Sequence, residues 1–252
     1  MATRSDGRAA DALRPVEMTV GFQRMAEGSV LYRAGSTVVL ATASVDEKLP
    51  PWLEGKGKGW VTAEYQMHPR SNPDRRESRD GRGKAPSGRT QEIQRLVGRA
   101  LRAAVDLVKL GERQITIDCD ILEADGGTRT ASITTGFVAM CLALQKLKTA
   151  GKTVNPCVRE PVAAVSAGIV GTDMFLDLVY VEDSKAEVDL NLVATKSGAI
   201  IEVQGTAEGA PIHRKEVDKM IDLATGGIAR LTQLQEKTLA AAGVDLAALT
   251  IR

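Results

Sequence analysis

The spacing of apolar residues changes repeatedly along this chain, and that alternation limits the folds it can form. In some stretches apolar residues recur at every second position, as on one face of a β-strand, and in others at every third or fourth position, as on a helix. These stretches follow the order strands, helix, strand, helix, strands, helix. The order predicts an α+β fold in which helices pack on mostly antiparallel sheets.

Strand-like spacing occurs in both halves of the chain. We predict strands over residues 30–33, 37–45, 60–67, 115–122, 162–169, 174–181, 188–195 and 199–204. The Ala34-Gly35-Ser36 segment joins the first two of these runs and is typical of a hairpin turn. Lys196-Ser197-Gly198 predicts a second turn between the last two runs.

Helical spacing occurs in three longer segments. We predict helices over residues 89–107, from about 127 to 148, and from about 214 to 241, where Gly226-Gly227 is a point at which the last helix could break. The 252 residues suit a single domain with approximate halves 1–155 and 156–252. The similar order of elements in the two halves is compatible with an internal duplication.

Charge and hydropathy exclude several classes of protein. Lys and Arg total 33 against 32 Asp and Glu, so the formal net charge is +1 and any surface for nucleic acid must be local. The first fifteen residues are charged rather than apolar, unlike a signal peptide. We find no apolar run of the length that a membrane span needs. These features predict a cytoplasmic protein without a membrane partner.

Histidine and cysteine are scarce. The two histidines, His68 and His213, leave almost no material for a Ser-His-Asp triad or a two-histidine metal site. The three cysteines, Cys119, Cys141 and Cys157, have neither the number nor the spacing of a disulfide framework or a structural zinc site. We interpret all five residues as structural.

Two predicted helices begin with an arginine in their first turn. Ser87-Gly88-Arg89-Thr90 opens one, and Gly126-Gly127-Thr128-Arg129-Thr130 opens the other. The first turn of a helix has unpaired N–H groups and favours anions, so an arginine there is unfavourable unless a bound anion offsets it. Guanidinium groups bind phosphate through two parallel hydrogen bonds. Together the two helix starts predict a phosphate site, with surface carboxylates as the alternative partners of each arginine.

A second group of polar residues surrounds Asp183 and Asp189. In a strand over residues 188–195, Asp189 and Asn191 share the face opposite to Val188 and Leu190. Asp183 closes the preceding predicted strand, so a short turn could bring the two carboxylates together. Paired carboxylates suit Mg²⁺. A solvated acidic turn is the alternative, and a bare pair of aspartates at this spacing is common by chance.

The longest irregular segment, residues 68–84, is rich in arginine. It contains Arg70, Arg75, Arg76, Arg79, Arg82 and Lys84 against three acidic residues. Such a segment is typical of an arm that binds RNA backbone, although an ordinary solvated loop has the same composition. The nearby Gly55-Lys56-Gly57-Lys58-Gly59 segment lacks the spacing of a phosphate-binding loop and is better explained as a basic turn.

Six strings of residues in this sequence resemble those of the ribonuclease PH family. They are RSDGR (4–8), LRP (13–15), KGWVTAEY (58–65), SGRTQEIQRLVGRALR (87–102), IDCDILEADGGTRTAS (117–132) and the segment 182–191. The resemblance covers nearly the whole chain. It implies a duplicated fold of the ribosomal protein S5 domain 2 type and a homohexamer built as a trimer of dimers.

The resemblance also implies roles for the residues singled out above. Arg89 and the stretch Gly127, Thr128 and Arg129 would bind inorganic phosphate as co-substrate. Asp183 and Asp189 would support Mg²⁺ or Mn²⁺, with Arg89 and Arg129 completing the catalytic set. The arginine-rich loop, with Arg70, Arg75, Arg76, Arg79 and Arg82, would bind the acceptor stem of transfer RNA across subunits.

The activity that the resemblance implies is a reversible nucleotidyl transfer. Inorganic phosphate would shorten the 3′ ends of transfer RNA precursors and release nucleoside 5′-diphosphates, and ribosomal or other RNA 3′ ends would be further substrates. Two alternatives stay open at this point. One is a hydrolytic exonuclease that uses water in place of phosphate, and the other is a ring subunit that binds RNA without cleaving it.

Overall fold

The structure is a computed structural model that describes residues 4–74, 76–77 and 85–251. Its strands are β1 (Val16–Val20), β2 (Gly28–Ala34), β3 (Thr37–Asp46), β4 (Trp60–Met67), β5 (Gln114–Glu123), β6 (Val162–Val170), β7 (Asp173–Leu176), β8 (Val188–Thr195) and β9 (Ile200–Ala207). Its helices are α1 (Gly88–Ala103), α2 (Leu107–Leu110), α3 (Thr128–Thr149), α4 (Tyr180–Asp183), α5 (Arg214–Ala241) and α6 (Leu246–Leu249).

The first sheet contains five strands in the order β1-β2-β3-β5-β4. All neighbours are antiparallel except β4 and β5, which run parallel with Trp60 opposite Gln114 at one end and Met67 opposite Ile121 at the other. A parallel pair needs a crossover connection, and the chain between β4 and β5 supplies α1 and α2. Helix α1 packs along β4, with Ile93 and Leu96 among its buried residues.

The second sheet contains four antiparallel strands in the order β7-β6-β8-β9. Alternation in β8 buries Val188, Leu190 and Leu192 against α5, while Asp189 and Asn191 lie on the opposite face. Helix α5 is continuous through Gly226-Gly227. Gly227 packs on Leu176, where a larger side chain would press on that leucine.

Helix α3 joins the two sheets. It contacts β2, β3 and β5 of the first sheet and β6 of the second. Thr134 in this helix exchanges hydrogen bonds with the backbone of Ala164 in β6, and Gln235 of α5 donates to the carbonyl groups of Thr134 and Val162. The two halves are therefore connected through a common buried helix.

Helix α3 is also long and apolar enough, by length and composition, to cross a membrane. However, 78% of its apolar window is buried inside the structure, as expected for the core helix of a globular protein. Phe137, Met140 and Leu144 are fully buried along it. The apolar character of α3 is thus used in packing the two sheets together.

The α+β expectation and the mostly antiparallel sheets are confirmed, and most predicted elements agree with the structure within a few residues. The predicted strand over 174–181 is correct over its first three residues and wrong beyond them, because the strand ends at Leu176 and Asp177 takes a left-handed conformation with φ of 54°. The chain then forms the short helix α4, so Asp183 ends a helix and not a strand. The sequence analysis did not predict β1, α2, α4 or α6.

Candidate active site

The start of α3 is built from two glycines in the left-handed region. Gly126 has φ of 75° and Gly127, the residue before the helix, has φ of 67°. Among the described residues no side chain caps this helix start, and its first turn contains no acidic residue. The N–H groups of the first turn, beginning at the buried Thr128, are therefore available to an anion.

The start of α1 is capped differently. The Ser87 hydroxyl accepts a hydrogen bond from the Thr90 N–H at 3.1 Å, so part of this helix start is satisfied by its own side chain. Arg89 follows directly and is exposed. Arg89 brings positive charge to the site. However, the start of α1 has fewer free backbone N–H groups to offer an anion than the start of α3 has.

Arg129 contacts polar groups from both halves of the chain. Its Nη1 atom donates to Gln204 Oε1 at 3.0 Å and lies 3.5 Å from Glu92 Oε1. Gln204 is on β9 of the second sheet and donates in turn to the carboxylates of Glu92 and Glu202. The alternative that Arg129 pairs with a surface carboxylate is thus partly observed, but the Glu92 carboxylate lies farther from Arg129 than Gln204 does.

The face of β8 that carries Asp189 points toward Arg129. Asn191 lies opposite Gln204 in the antiparallel register, and Asp189 is two residues from Asn191 on the same face. Gln204 contacts Arg129, so this face lies next to the start of α3. Asp189 therefore belongs to the same side of the molecule as the anion-binding helix start.

Asp183 is where the predicted groups converge. Partial desolvation of its carboxyl group raises its pKa, and the negative charge of Asp189 raises it further. The positive charges of Arg129 and Arg89 act in the opposite direction. Although much of the residue is exposed, its carboxyl group is within electrostatic reach of all three partners. The structure thus brings together the four residues that the sequence analysis predicted as catalytic.

Tyr65 belongs to this site but was not predicted. Its hydroxyl group lies 2.9 Å from the Thr128 hydroxyl. Burial raises the pKa of Tyr65, while the hydrogen bond to Thr128 and the charges of Arg89 and Arg129 lower it. The strand-like spacing predicted β4 but carried no signal for the hydroxyl group of Tyr65, whose ring lies in the core.

The root of the arginine-rich loop lies beside the turn that precedes α3. The Ala124 N–H donates to the Ser71 carbonyl at 3.0 Å, and Gly126-Gly127 follows two residues later. Arg70 and Arg76 are exposed here, as an RNA contact requires. The other predicted RNA-binding residues of the loop, namely Arg75, Arg79 and Arg82, lie outside the described residues.

The glycine- and lysine-rich turn is far from this site. The Gly57 N–H donates to Glu112, and Gly59 bonds to the Leu107 carbonyl, next to the end of the sheet where Trp60 lies opposite Gln114. The start of α3 is at the other end of this strand pair. The structure agrees with a basic turn rather than a phosphate loop.

The cysteines are buried and unpaired. Burial raises the pKa of the Cys119 thiol to about 12 and that of Cys157 to about 11, which makes both poor nucleophiles. The described residues contain no cluster of three or more His, Cys, Asp or Glu side chains that could hold a metal ion. A metal at Asp183 and Asp189 would therefore need further ligands from water or substrate.

Two domains of one known protein family match this chain. Residues 12–149 match the first domain of the 3′ exoribonuclease family, and residues 160–227 match its second domain. The chain belongs to the 3′ exoribonuclease family. Arg89 and Arg129 lie in the first of these domains, whereas Asp183 and Asp189 lie in the second. The candidate site of this family member is thus assembled from both domains.

The fold is similar to those of three solved chains, two of which come from exosomes. Rrp46 from rice (Oryza sativa) superposes with a TM-score of 0.76 at 17% identity, over 94% of this chain and 100% of Rrp46. A chain of an archaeal exosome core gives 0.71 at 22% identity over 92% and 91%. A chain of the Archaeoglobus fulgidus exosome with RNA bound to the active site gives 0.72 at 25% identity over 93% and 92%. The 3′ exoribonuclease fold therefore extends over nearly the whole chain.

Proposed function

We propose that this chain is a phosphorolytic 3′-to-5′ exoribonuclease of the ribonuclease PH type, a reversible tRNA nucleotidyltransferase that trims transfer RNA precursors. The observation that carries the proposal is the hydrogen bond from Arg129, at the start of α3, to Gln204, which lies opposite Asn191 on the face of β8 that carries Asp189. The charges of Arg89, Arg129 and Asp189 all act on the Asp183 carboxyl group. Two cationic and two carboxylate side chains beside a helix start suit a reaction in which a bound inorganic phosphate attacks the phosphodiester of RNA.

Inorganic phosphate would bind at the start of α3. The N–H groups of the first turn, the Thr128 hydroxyl and the Arg129 guanidinium supply donors, and Arg89 adds charge from α1. The hydrogen bond that Arg129 donates to Gln204 restrains the arginine, so part of the entropic cost of orienting that side chain is met before phosphate arrives. In this arrangement the bound phosphate would face Asp183 of α4 and Asp189 of β8.

The bound phosphate would attack the last 3′-5′ phosphodiester of RNA in line. A P–O bond forms between the attacking oxygen and the terminal phosphorus, and the bond to the 3′ oxygen of the preceding nucleotide breaks. The products are a nucleoside 5′-diphosphate and RNA shortened by one residue with a free 3′ hydroxyl group. Arg89 and Arg129 would stabilise the negative charge of the transition state, and Asp189 would take part in proton transfer.

Asp183 and Asp189 fit a divalent cation such as Mg²⁺ or Mn²⁺. Each carboxylate offers oxygen ligands. Desolvation raises the pKa of Asp183 and the charge of Asp189 raises it further, and a bound cation would relieve that repulsion. When bound, the cation would neutralise charge on the scissile phosphate. The low number of protein ligands leaves room for water and for phosphate oxygens, which Mg²⁺ commonly retains.

Several further features of the proposal come from the family and its relatives. The exposed Arg70 and Arg76 lie at the root of the loop that would hold the acceptor stem of transfer RNA, and ribosomal or other RNA 3′ ends would be additional substrates. The similarity to exosome chains supports a ring, here a homohexamer built as a trimer of dimers. A cytoplasmic location fits these substrates.

The direct test is incubation of a 3′-extended transfer RNA with Mg²⁺, with and without inorganic phosphate, followed by identification of the released nucleotide. We expect nucleoside diphosphates, and only when phosphate is present. Arg89→Ala should abolish this activity. The matched control is Arg159→Ala, since Arg159 pairs at the surface with Asp106, beyond the opposite end of α1.

Other products would overturn the proposal. Nucleoside monophosphates released without phosphate would show hydrolysis. RNA binding without release of any nucleotide would indicate a non-catalytic ring subunit. Unchanged rates for Arg89→Ala in saturating phosphate would remove this residue from the mechanism while leaving the product assignment intact.

A further inference from the structure

The N-terminal arm, residues 4–14, lies against the second half of the chain although it leads into β1 of the first sheet. Leu176 donates its N–H to the Ala10 carbonyl at 2.8 Å, and Leu13 packs against the apolar core beneath the second sheet. The first family match begins at residue 12, so most of this arm precedes it. The arm carries three arginines whose positions suggest a use beyond packing.

Arg4 is buried and clamps the short helix α4. Its Nε and Nη2 atoms donate to the two carboxylate oxygens of Glu182 at 2.9 and 2.7 Å, and its Nη1 and Nη2 atoms donate to the carbonyls of Leu176 and Asp177. Glu182 also accepts from the Val179 N–H at the start of α4. Because Glu182 precedes Asp183, this ion pair restrains the backbone next to Asp183.

Arg14 is equally buried and supports the turn before α3. It donates to both carboxylate oxygens of Asp177 at 3.0 and 2.6 Å, and also to the carbonyls of Asp125 and Gly126. A side chain at Gly127 would lie 3.0 Å from its Nη2 atom, so the guanidinium is directly beneath the helix start. Burial would raise the pKa of Asp177, but the hydrogen bonds and charge of Arg14 hold it below its ordinary value.

Asp177 has a strained backbone conformation that several hydrogen bonds hold in place. It is the only non-glycine among the described residues with a positive φ, and its carbonyl accepts hydrogen bonds from both Arg4 and Arg8. A residue held in this region costs free energy and persists when its surroundings enforce it. The arginines of the arm are the groups that enforce it here.

The turn before α3, at Asp125 and Gly126, touches the turn that leads into α4, at Leu178 to Tyr180. Tyr180 N–H donates to the Asp125 carboxylate at 3.1 Å, and a Cβ atom at Gly126 would come within 2.5 Å of the Leu178 carbonyl. A shift of either turn therefore moves the anion-binding helix start relative to Asp183. Arg4 and Arg14 are buried and bond to the carbonyl groups of these turns, so the two residues act through the turns.

We propose that the N-terminal arm is the positioning element of the active site: Arg4 sets the place of the Asp183 carboxylate, and Arg14 sets that of the phosphate-binding helix start. This inference rests on the function proposed above. A buried ion pair is weak evidence for stability, since well-packed apolar residues often replace one without loss. Here two buried ion pairs lie beneath two turns that touch. The positions that the pairs impose on these turns explain them better than a contribution to stability does.

The test separates the two arginines by their effects on phosphate binding and on turnover. Arg14→Lys keeps a positive charge near Asp177 but cannot reach that carboxylate and both carbonyls at once. We expect the Kd of inorganic phosphate, measured by calorimetry without RNA, and the KM for phosphate to rise at least about tenfold. If Arg14→Lys does not fold, Thr37→Val serves, since the Thr37 hydroxyl bridges Arg14 and the Gly126 carbonyl.

The second part of the test concerns Arg4, whose replacement should change turnover and not phosphate binding. In Arg4→Gln with Glu182→Gln both buried charges are removed together, so neither is left unpaired. We expect kcat to fall about 10- to 100-fold while the Kd of phosphate stays at the wild-type value. Arg4→Lys, which keeps one ion-pair contact with Glu182, should recover part of the lost kcat. Arg159→Lys is the matched control and should alter neither quantity.

The outcomes are distinguishable from failure of the proposed function. If the wild-type protein releases no nucleoside diphosphate, the proposed function fails, while the phosphate Kd of Arg14→Lys still reports on positioning. If wild-type turnover is present and both variants match it after correction for the folded fraction, the arm has a purely structural role. Equal losses of kcat and phosphate affinity in both variants would also overturn the division of roles.

Discussion

Gly126→Ala tests most directly whether contact between the two turns controls the reaction. A Cβ atom at this position would lie 2.5 Å from the Leu178 carbonyl oxygen and 3.0 Å from the Tyr180 nitrogen, whereas ordinary contacts begin at 3.4 Å. Both neighbours are backbone atoms, so the turns must separate by roughly 1 Å, a displacement that can cost about 100-fold in rate.

The cost in stability can be divided into two parts. Gly126 has φ of 75°, which costs an alanine about 1–2 kcal/mol, and the steric overlap adds about 1–3 kcal/mol. Gly21→Ala is the matched control, because Gly21 has φ of 69° and nothing within 4 Å of its Cβ position. That variant should lose only the first part and keep its activity.

The assay combines urea unfolding with initial rates of phosphate-dependent RNA shortening, corrected for the folded fraction. We expect Gly126→Ala to be less stable than Gly21→Ala and about 100-fold slower. Equal stability and equal rates for the two variants would refute the reasoning, because contact between the turns would then have no effect on either quantity.

Two further predictions concern side chains beneath the site. Tyr65→Phe should raise the KM for phosphate about 3- to 10-fold and lower the free energy of unfolding by about 0.5–1.5 kcal/mol, because the Thr128 hydroxyl loses its hydrogen-bond partner. Phosphate titrations and urea unfolding measure the two effects. An unchanged KM would contradict the prediction. Asp177→Asn should lower the free energy of unfolding by about 3–5 kcal/mol at neutral pH, because Arg14 and Arg8 lose their buried counter-charge. The folded pKa of Asp177 is depressed, so its stabilisation is present above the unfolded value of 3.8 and is lost as pH falls through the folded pKa. The difference between variant and wild type should therefore shrink toward low pH in urea unfolding, and a constant difference would show that the carboxylate charge is not responsible.

The site requires both sheets, and this has a consequence for how the protein responds to substitution. Arg129 and Gln204 meet across the two halves at 3.0 Å, and Arg99 of α1 forms an ion pair with Glu202 of β9 at 2.6 Å. These contacts lie at the surface or are half-buried, so each contributes little to stability alone. Their effect is on the relative placement of the arginines and the carboxylates.

Periodicity predicted the regular elements well where one face of the element is buried. The bounds of β4 and β8 agree with the prediction, and those of α5 agree closely, because each buries a single face against the core. The helix start at Gly127 was also predictable, since glycines in sequence and a first turn without acidic residues are local features. Arg89 and Arg129 were identified in this way.

The prediction failed where a distant segment overrides local preference. Residues 174–181 have the apolar alternation of a strand, but arginines from the N-terminal arm bind the Leu176 and Asp177 carbonyls and the strand ends there. Asp183 therefore lies on a helix whose position depends on Arg4, 178 residues from its partner Glu182. A pattern within one segment carries no information about such a contact.

The amino-acid sequence by itself determined which faces are buried, where the long helices begin and which side chains are able to bind phosphate, because these properties depend on neighbours within a few positions. Only the tertiary structure decided that the start of α3 lies beside Asp183, that Tyr65 contacts Thr128, and that buried arginines support both turns. The physical reason is range. Hydrophobic periodicity reports burial along one element, whereas hydrogen bonds and charges act on whatever the packing of separate elements brings within reach.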